Sequence, residues 1–166
     1  MTGKYKPAKL LSEGDMVMSF SNGKLEETEL IWHEHAHMHV AREFLVFRTA
    51  RGNKFAVTPE HIVYRGKCGR NSWASSPADK VFVGDCVAAV GVGSRLVDDH
   101  VMHVDSLYDN DGVYQSLTRS GSMIAGNVSV SCFDDERVIQ RKSGWIRKVY
   151  ERVKVKFGWF PKVLKL

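Results

Sequence analysis

The chain has 166 residues and a mass of 18.7 kDa, with 43% hydrophobic and 26% charged residues, a balance that fits one ordinary globular domain and excludes a disordered tail. No run approaches the roughly 18 apolar residues of a spanning helix, and the opening MTGKYKPAKL lacks the apolar core of a secretory signal, so neither segment is expected in the chain as written. The net charge of +5 is uneven: residues 137–166 carry ten Lys/Arg against the single acid Glu151, which leaves residues 1–136 at −4.

In chain order, Leu10 to Phe20 is an apolar stretch broken by Gly14-Asp15 and closed by Ser21-Asn22-Gly23. Phe44–Thr49 and Lys54–Thr58 flank Arg51-Gly52-Asn53, a hairpin signal. Short apolar or alternating runs follow at Val81–Val83, Cys86–Val92, Val101–Val104, Val113–Leu117 and Asn127–Phe133, separated by Asp109-Asn110-Asp111-Gly112 and Ser120-Gly121. Residues 1–135 therefore read as an all-β domain. After Asp134-Asp135-Glu136 the composition turns basic, and in the tail 136–166 Trp145, Ile146, Val149 and Val153 fall at helical spacing until Gly158 and Pro161 stop the helix.

The strand segments repeat. Leu11-Ser12-Glu13-Gly14-Asp15-Met16-Val17 is similar to Val81-Phe82-Val83-Gly84-Asp85-Cys86-Val87 at an offset of 70, and Thr49-Ala50-Arg51-Gly52 to Thr118-Arg119-Ser120-Gly121 at an offset of 69. Two matches in the same order at nearly one offset predict two half-domains of similar plan. Asp15 and Asp85 share a place after glycine, and turn-stabilising hydrogen bonds explain them better than paired catalysis.

The chemistry centres on Thr58-Pro59-Glu60-His61, which follows a strand directly. A hydroxyl and an imidazole three residues apart at a strand end can converge on one peptide and polarise it; the bland alternative is a capping threonine with a structural histidine. Cys68, Cys86 and Cys132 are odd in number, irregularly spaced and without a CxxC pair, which argues against a disulfide framework and leaves at least one thiol free. Cys68, in Gly66-Lys67-Cys68-Gly69, is expected to be an exposed loop thiol, and Cys86 a core filler.

Taken together, Leu11-Ser12-x-Gly14-Asp15-x-Val17, Thr58-x-x-His61, Val83-Gly84-Asp85-x-Val87, and Leu117-Thr118-x-x-Gly121 through Asn127-Val128-x-Val130-Ser131-Cys132-Phe133 resemble the Hint module of Hedgehog-type proteins and inteins, in the family's order over residues 3–133. The resemblance implies an all-β, Hint-type fold with two pseudo-symmetric halves. It also implies a self-processing reaction in which a cysteine at the head of the module attacks the preceding carbonyl and converts a peptide to a thioester. A second nucleophile then cleaves that thioester, and in Hedgehog itself this is a sterol hydroxyl. Thr58 and His61 inherit the residues that assist the first step. Cys132 matches the late Ser-Cys-aromatic block and is read either as an exchange-active thiol or as a small structural cysteine.

The family's nucleophile stands roughly ten residues upstream of where the match begins, and none of Met1, Thr2 and Gly3 imitates a thiol. The chain as written is therefore expected not to self-cleave, and activity belongs to a longer precursor. Where Hedgehog proteins keep an acceptor-activating aspartate, a gapless count falls on His35, with Glu34 or His33 as the neighbouring choices. Imidazole is a competent base near neutral pH, so water or another alcohol competes with sterol as acceptor.

No cofactor is required on this reading. The alternating His33, His35, His37 and His39 would share one face of a strand at about 6–7 Å intervals, a weak candidate for zinc beside the default of a pH-sensitive strand edge. The expected partners are the chain's own N-terminal precursor segment as substrate, a sterol or other lipid acceptor, and an anionic membrane surface through the tail 137–166. Nucleic acid is disfavoured for want of a module, and the chain is taken as a monomer. A precursor would pass through the secretory pathway; if Met1 is the true start, the product is cytoplasmic. The alternative reading is a catalytically dead Hint-fold module that serves as a membrane-surface or protein interaction domain.

Overall fold

The computed structural model describes residues 5–21, 23–36, 40–110 and 112–133, all within the first of two compact units, Met1–Glu136. The expected tail helix lies outside the described residues. Eleven strands account for most of the described chain, and no α-helix occurs among the described residues. The all-β expectation is borne out.

The first half runs β1 (Met16–Ser21), β2 (Lys24–Ala36), β3 (Arg42–Thr49), β4 (Lys54–Val57) and β5 (Ile62–Gly66). After β6 (Ala74–Pro77), the second half repeats that order in β7 (Cys86–Val90), β8 (Leu96–Asp109), β9 (Val113–Thr118), β10 (Ser122–Ala125) and β11 (Val128–Ser131). Each half lends its long strand to the other. β2 pairs with β1 from Lys24 to Glu29 and then with β9 from Leu30 onward, while β8 pairs with β7 up to His100 and with β3 from Val101 onward. The two halves therefore share their ladders, and neither completes its sheets alone.

The internal repeat is visible atom by atom. Ser12 N–H donates to Asp15 Oδ2 at 2.8 Å, and Phe82 N–H donates to Asp85 Oδ2 at 2.9 Å. Gly14 N–H reaches the Leu30 carbonyl and Gly84 N–H the Val101 carbonyl, at 2.8 and 3.0 Å. Both glycines take positive φ, +91° and +96°, which is why glycine precedes aspartate in both copies. The two aspartates are turn residues, as expected. The Lys6 ammonium at 2.6 Å holds the Asp15 carboxyl below its ordinary value, with the Ser12 N–H assisting.

Two expectations fail. Val81–Val83 is not a strand: it forms the turn stabilised by Asp85, with Phe82 and Val83 exposed. Cys68 and Cys86 are neither a free loop thiol and a free core filler, because they form a disulfide across 18 positions with Cα atoms 5.2 Å apart. The cause is register: antiparallel pairing of β5 with β7 sets Gly66 opposite Cys86 and brings Cys68 alongside. Closing a loop of this length contributes about 3 kcal/mol in the chain-entropy account. The Cys68→Ser, Cys86→Ser double variant is expected to lose about that much in urea unfolding.

The core lies where the shared ladders meet. Phe47 and Phe55 stack with ring centroids 4.8 Å apart, and Val63, Val87, Val101 and Val128 are fully buried around them.

Candidate active site

Thr58-Pro59-Glu60-His61 is the tight turn between β4 and β5, closed by His61 N–H donating to the Thr58 carbonyl at 3.0 Å. Proline stands at the second turn position, where its fixed φ is already correct. A 3₁₀ turn at Ala78–Lys80 braces it, with Ala78 N–H on the His61 carbonyl at 2.9 Å and Asp79 N–H on the Pro59 carbonyl at 2.8 Å. The hydroxyl and the imidazole are thus carried by one rigid turn.

The Cys132 segment arrives beside it. β11 pairs with β5 at Val130↔Val63, and just beyond the strand Ile62 N–H donates to the Phe133 carbonyl at 3.3 Å. Cys132 N–H is held by the Gly121 carbonyl at 3.0 Å, and its Sγ lies 3.5 Å from Thr118 Oγ1. The fold therefore brings together Thr58, His61 and the Cys132 segment, from positions more than 70 residues apart in sequence.

Burial pushes the Cys132 thiol above its ordinary 9.0, with the Thr118 contacts pulling the other way. Burial also raises the Tyr64 phenol above 10.0; neighbouring Cys132 adds to that shift, and a hydrogen bond with Ser131 opposes it. Cys132 is consequently a protonated thiol at neutral pH. With both folded-state values raised, the stability these groups contribute is whole below about pH 9 and declines as pH rises through the folded values. Iodoacetamide alkylation of Cys132, followed by intact mass, is expected to need a higher pH in the folded chain than in guanidinium to reach the same rate.

His35 stands elsewhere on the sheet. In the β2–β9 ladder Leu30 faces Thr118 and His35 faces Tyr114, so four steps along β9, about 13 Å at 3.3 Å per residue, separate the position of His35 from the residue that touches Cys132. Glu34, opposite Gln115, is exposed. His33 places Nδ1 2.8 Å from Ser116 Oγ and stacks on Tyr114 with centroids 5.7 Å apart. His37 and His39 lie outside the described residues, so the four-histidine zinc reading falls partly there. Thr118, Tyr64 and Ser131 are neighbours of Cys132 that sequence reasoning did not assign to the site. Thr118 had left a signal as the head of the second repeat and Ser131 as part of the Ser-Cys-aromatic block, whereas Tyr64 had left none.

A family model described as the Hint module matches residues 1–155. The chain belongs to the Hint family. Among curated proteins, this Hint module is 30% identical over 122 residues to Warthog protein 1 of Caenorhabditis elegans, covering 74% of the chain and 25% of that protein. It is 31% identical over 133 residues to Protein hedgehog of Drosophila ananassae, covering 79% of the chain and 28% of that protein. These relatives put it on the Hedgehog-type branch, and the chain spans about a quarter of their length. Solved inteins share the fold: a DnaB intein from Synechocystis superposes with a TM-score of 0.64 at 15% identity, covering 78% of the chain and 88% of the intein. The TvoVMA intein gives 0.56 at 17% identity, covering 71% and 69%. The Hint module's family is self-processing, acting on its own precursor, and its members are generally cofactor-independent.

Proposed function

We propose that this Hint module, within its precursor, carries out cysteine-initiated cleavage of the peptide upstream of it. The thiol of a cysteine at the head of the module adds to the preceding carbonyl carbon; the C–N bond breaks, the nitrogen takes up a proton, and a thioester remains. A second nucleophile then attacks the thioester carbon and releases the cysteine as a thiol. Thr58 and His61 donate hydrogen bonds to the scissile peptide in the first step. Cys132, a protonated thiol, packs beside their turn, and the acceptor is a sterol hydroxyl, another alcohol or water.

The observation that carries this reading is the packing of the Thr58–His61 turn against the Cys132-Phe133 segment. The Cys68–Cys86 disulfide also suits an oxidising compartment and hence a secreted precursor. A precursor with its upstream segment restored is expected to release that segment when treated with dithiothreitol, as read by intact mass. No release after prolonged treatment would overturn the proposal.

Two domains belong to this reading: the Hint domain over residues 1–135 and a basic tail over 136–166. The +9 of residues 137–166, set beside Trp145 and Trp159, favours contact with an anionic lipid surface. In flotation on phosphatidylserine vesicles the full chain is expected to partition with lipid and a chain ending at residue 136 to remain in solution. Equal partitioning would remove this part of the proposal.

A further inference from the structure

The disulfide has a third neighbour. On β8, His100 stands directly opposite Cys86, its imidazole is exposed, and a ring nitrogen and both sulfurs lie within 4.8 Å of one another. Zinc in a tetrahedral site, with Zn–S about 2.3 Å and Zn–N about 2.0 Å, needs donors roughly 3.5–3.8 Å apart. Opening the S–S bond provides that separation, since the two sulfurs must only move apart around a fixed imidazole.

The frame that holds the three donors does not depend on the S–S bond. The loop after Cys68 is tied to β8 by Asp98, whose Oδ2 accepts from Gly69 N–H at 2.6 Å, Arg70 N–H at 3.1 Å and Asn71 N–H at 3.2 Å. Asn71 Oδ1 in turn accepts from Asp98 N–H at 2.9 Å. Asp98 is two residues from His100 on the same strand, and Cys86 is fixed to that strand by the β7–β8 ladder. Gly66 lets the loop fold back closely, because any Cβ there would meet the Ser72 carbonyl oxygen at 2.1 Å. Both cysteines are therefore built onto the strand that carries the histidine, whether or not they are bonded to each other.

We infer that reduction converts Cys68, Cys86 and His100 into a binding site for one thiophilic divalent cation of the zinc class, and that oxidation closes it. A dithiol reductant supplies two electrons and two protons to the S–S bond, giving two thiols. Binding then releases those two protons, and two thiolates and a neutral imidazole nitrogen ligate the ion, with water at the fourth position. Two soft sulfurs and one nitrogen select zinc-like ions over magnesium or calcium. This set is separate from the Thr58, His61 and Cys132 positions and does not rest on their assignment.

The test is cobalt titration of the folded chain, followed by absorbance, in three states: oxidised, reduced with the reductant removed under nitrogen, and reduced Cys132→Ser. One equivalent is expected to give thiolate-to-cobalt charge-transfer and tetrahedral d–d bands in both reduced samples and none in the oxidised one. Cys68→Ser is expected to abolish the bands. His100→Ala, which leaves both thiols in place, is expected to weaken binding at least tenfold with circular dichroism unchanged. Absence of the bands in the reduced chain would overturn the inference. So would unchanged affinity in His100→Ala, since that describes two loose thiolates of an opened chain and no built site.

Discussion

In a precursor with its head cysteine in place, His61→Ala is expected to slow dithiothreitol-induced release of the upstream segment by about 10²-fold or more, the range for losing a positioned proton donor. The fold should not change with it. His61 holds its turn through main-chain groups, its N–H on the Thr58 carbonyl and its carbonyl beneath Ala78 N–H, and alanine keeps both. The imidazole is therefore removed without moving Thr58 or Cys132. A gel time course of fragment release, with thermal melting as a control on folding, separates chemistry from structure. Equal rates in the two proteins would remove His61 from the mechanism. Thr58→Ala should slow release by less, because one neutral hydrogen bond to the scissile peptide is weaker than the imidazole's contribution.

What could be read from the sequence was local, and what could not depended on register. The Gly14-Asp15 and Gly84-Asp85 turns were legible because each aspartate bonds an amide three residues before it. The Thr58–His61 turn was legible for the same reason, its ends being three residues apart. The Cys68–Cys86 bond was not, because it follows from Gly66 pairing with Cys86 across two strands, and spacing alone says nothing of such a pairing. The length of β8 was also hidden: Asp98, Asp99, His100, His103 and Asp105 occupy a strand that rises out of its own half to pair with β3, so hydrophobic periodicity marked only Val101–Val104. The apolar Val81–Val83 misled in the opposite sense, since the duplicated turn overrides strand propensity there. His35 came from a gapless count against a family pattern, and the ladder sets its position well along β9 from Cys132.

Asp99→Ala is expected to destabilise the folded chain by about 3 kcal/mol, the upper range for leaving hydrogen-bond donors without a buried charged acceptor. Asp99 is 1% exposed, yet Thr49 Oγ1 at 2.6 Å, Asn53 Nδ2 at 2.8 Å and Arg51 N–H at 3.0 Å all donate to it. Alanine would leave the buried Thr49 hydroxyl, the half-buried Asn53 amide and the Arg51 N–H without their shared acceptor at the corner where β3 turns into β4. The other half meets the same need more cheaply: Thr28 Oγ1 accepts Ser120 N–H at 3.1 Å, the counterpart of the Arg51 bond, and no carboxylate is involved. Removing that hydroxyl in Thr28→Val should cost about 1 kcal/mol, as for one neutral hydrogen bond. Urea unfolding at pH 7 measures both, and the ratio decides the argument. If Asp99→Ala costs no more than Thr28→Val, the carboxylate is a tolerated passenger of the duplication. A several-fold larger loss identifies it as the anchor of the half whose turn carries Arg51 and Asn53.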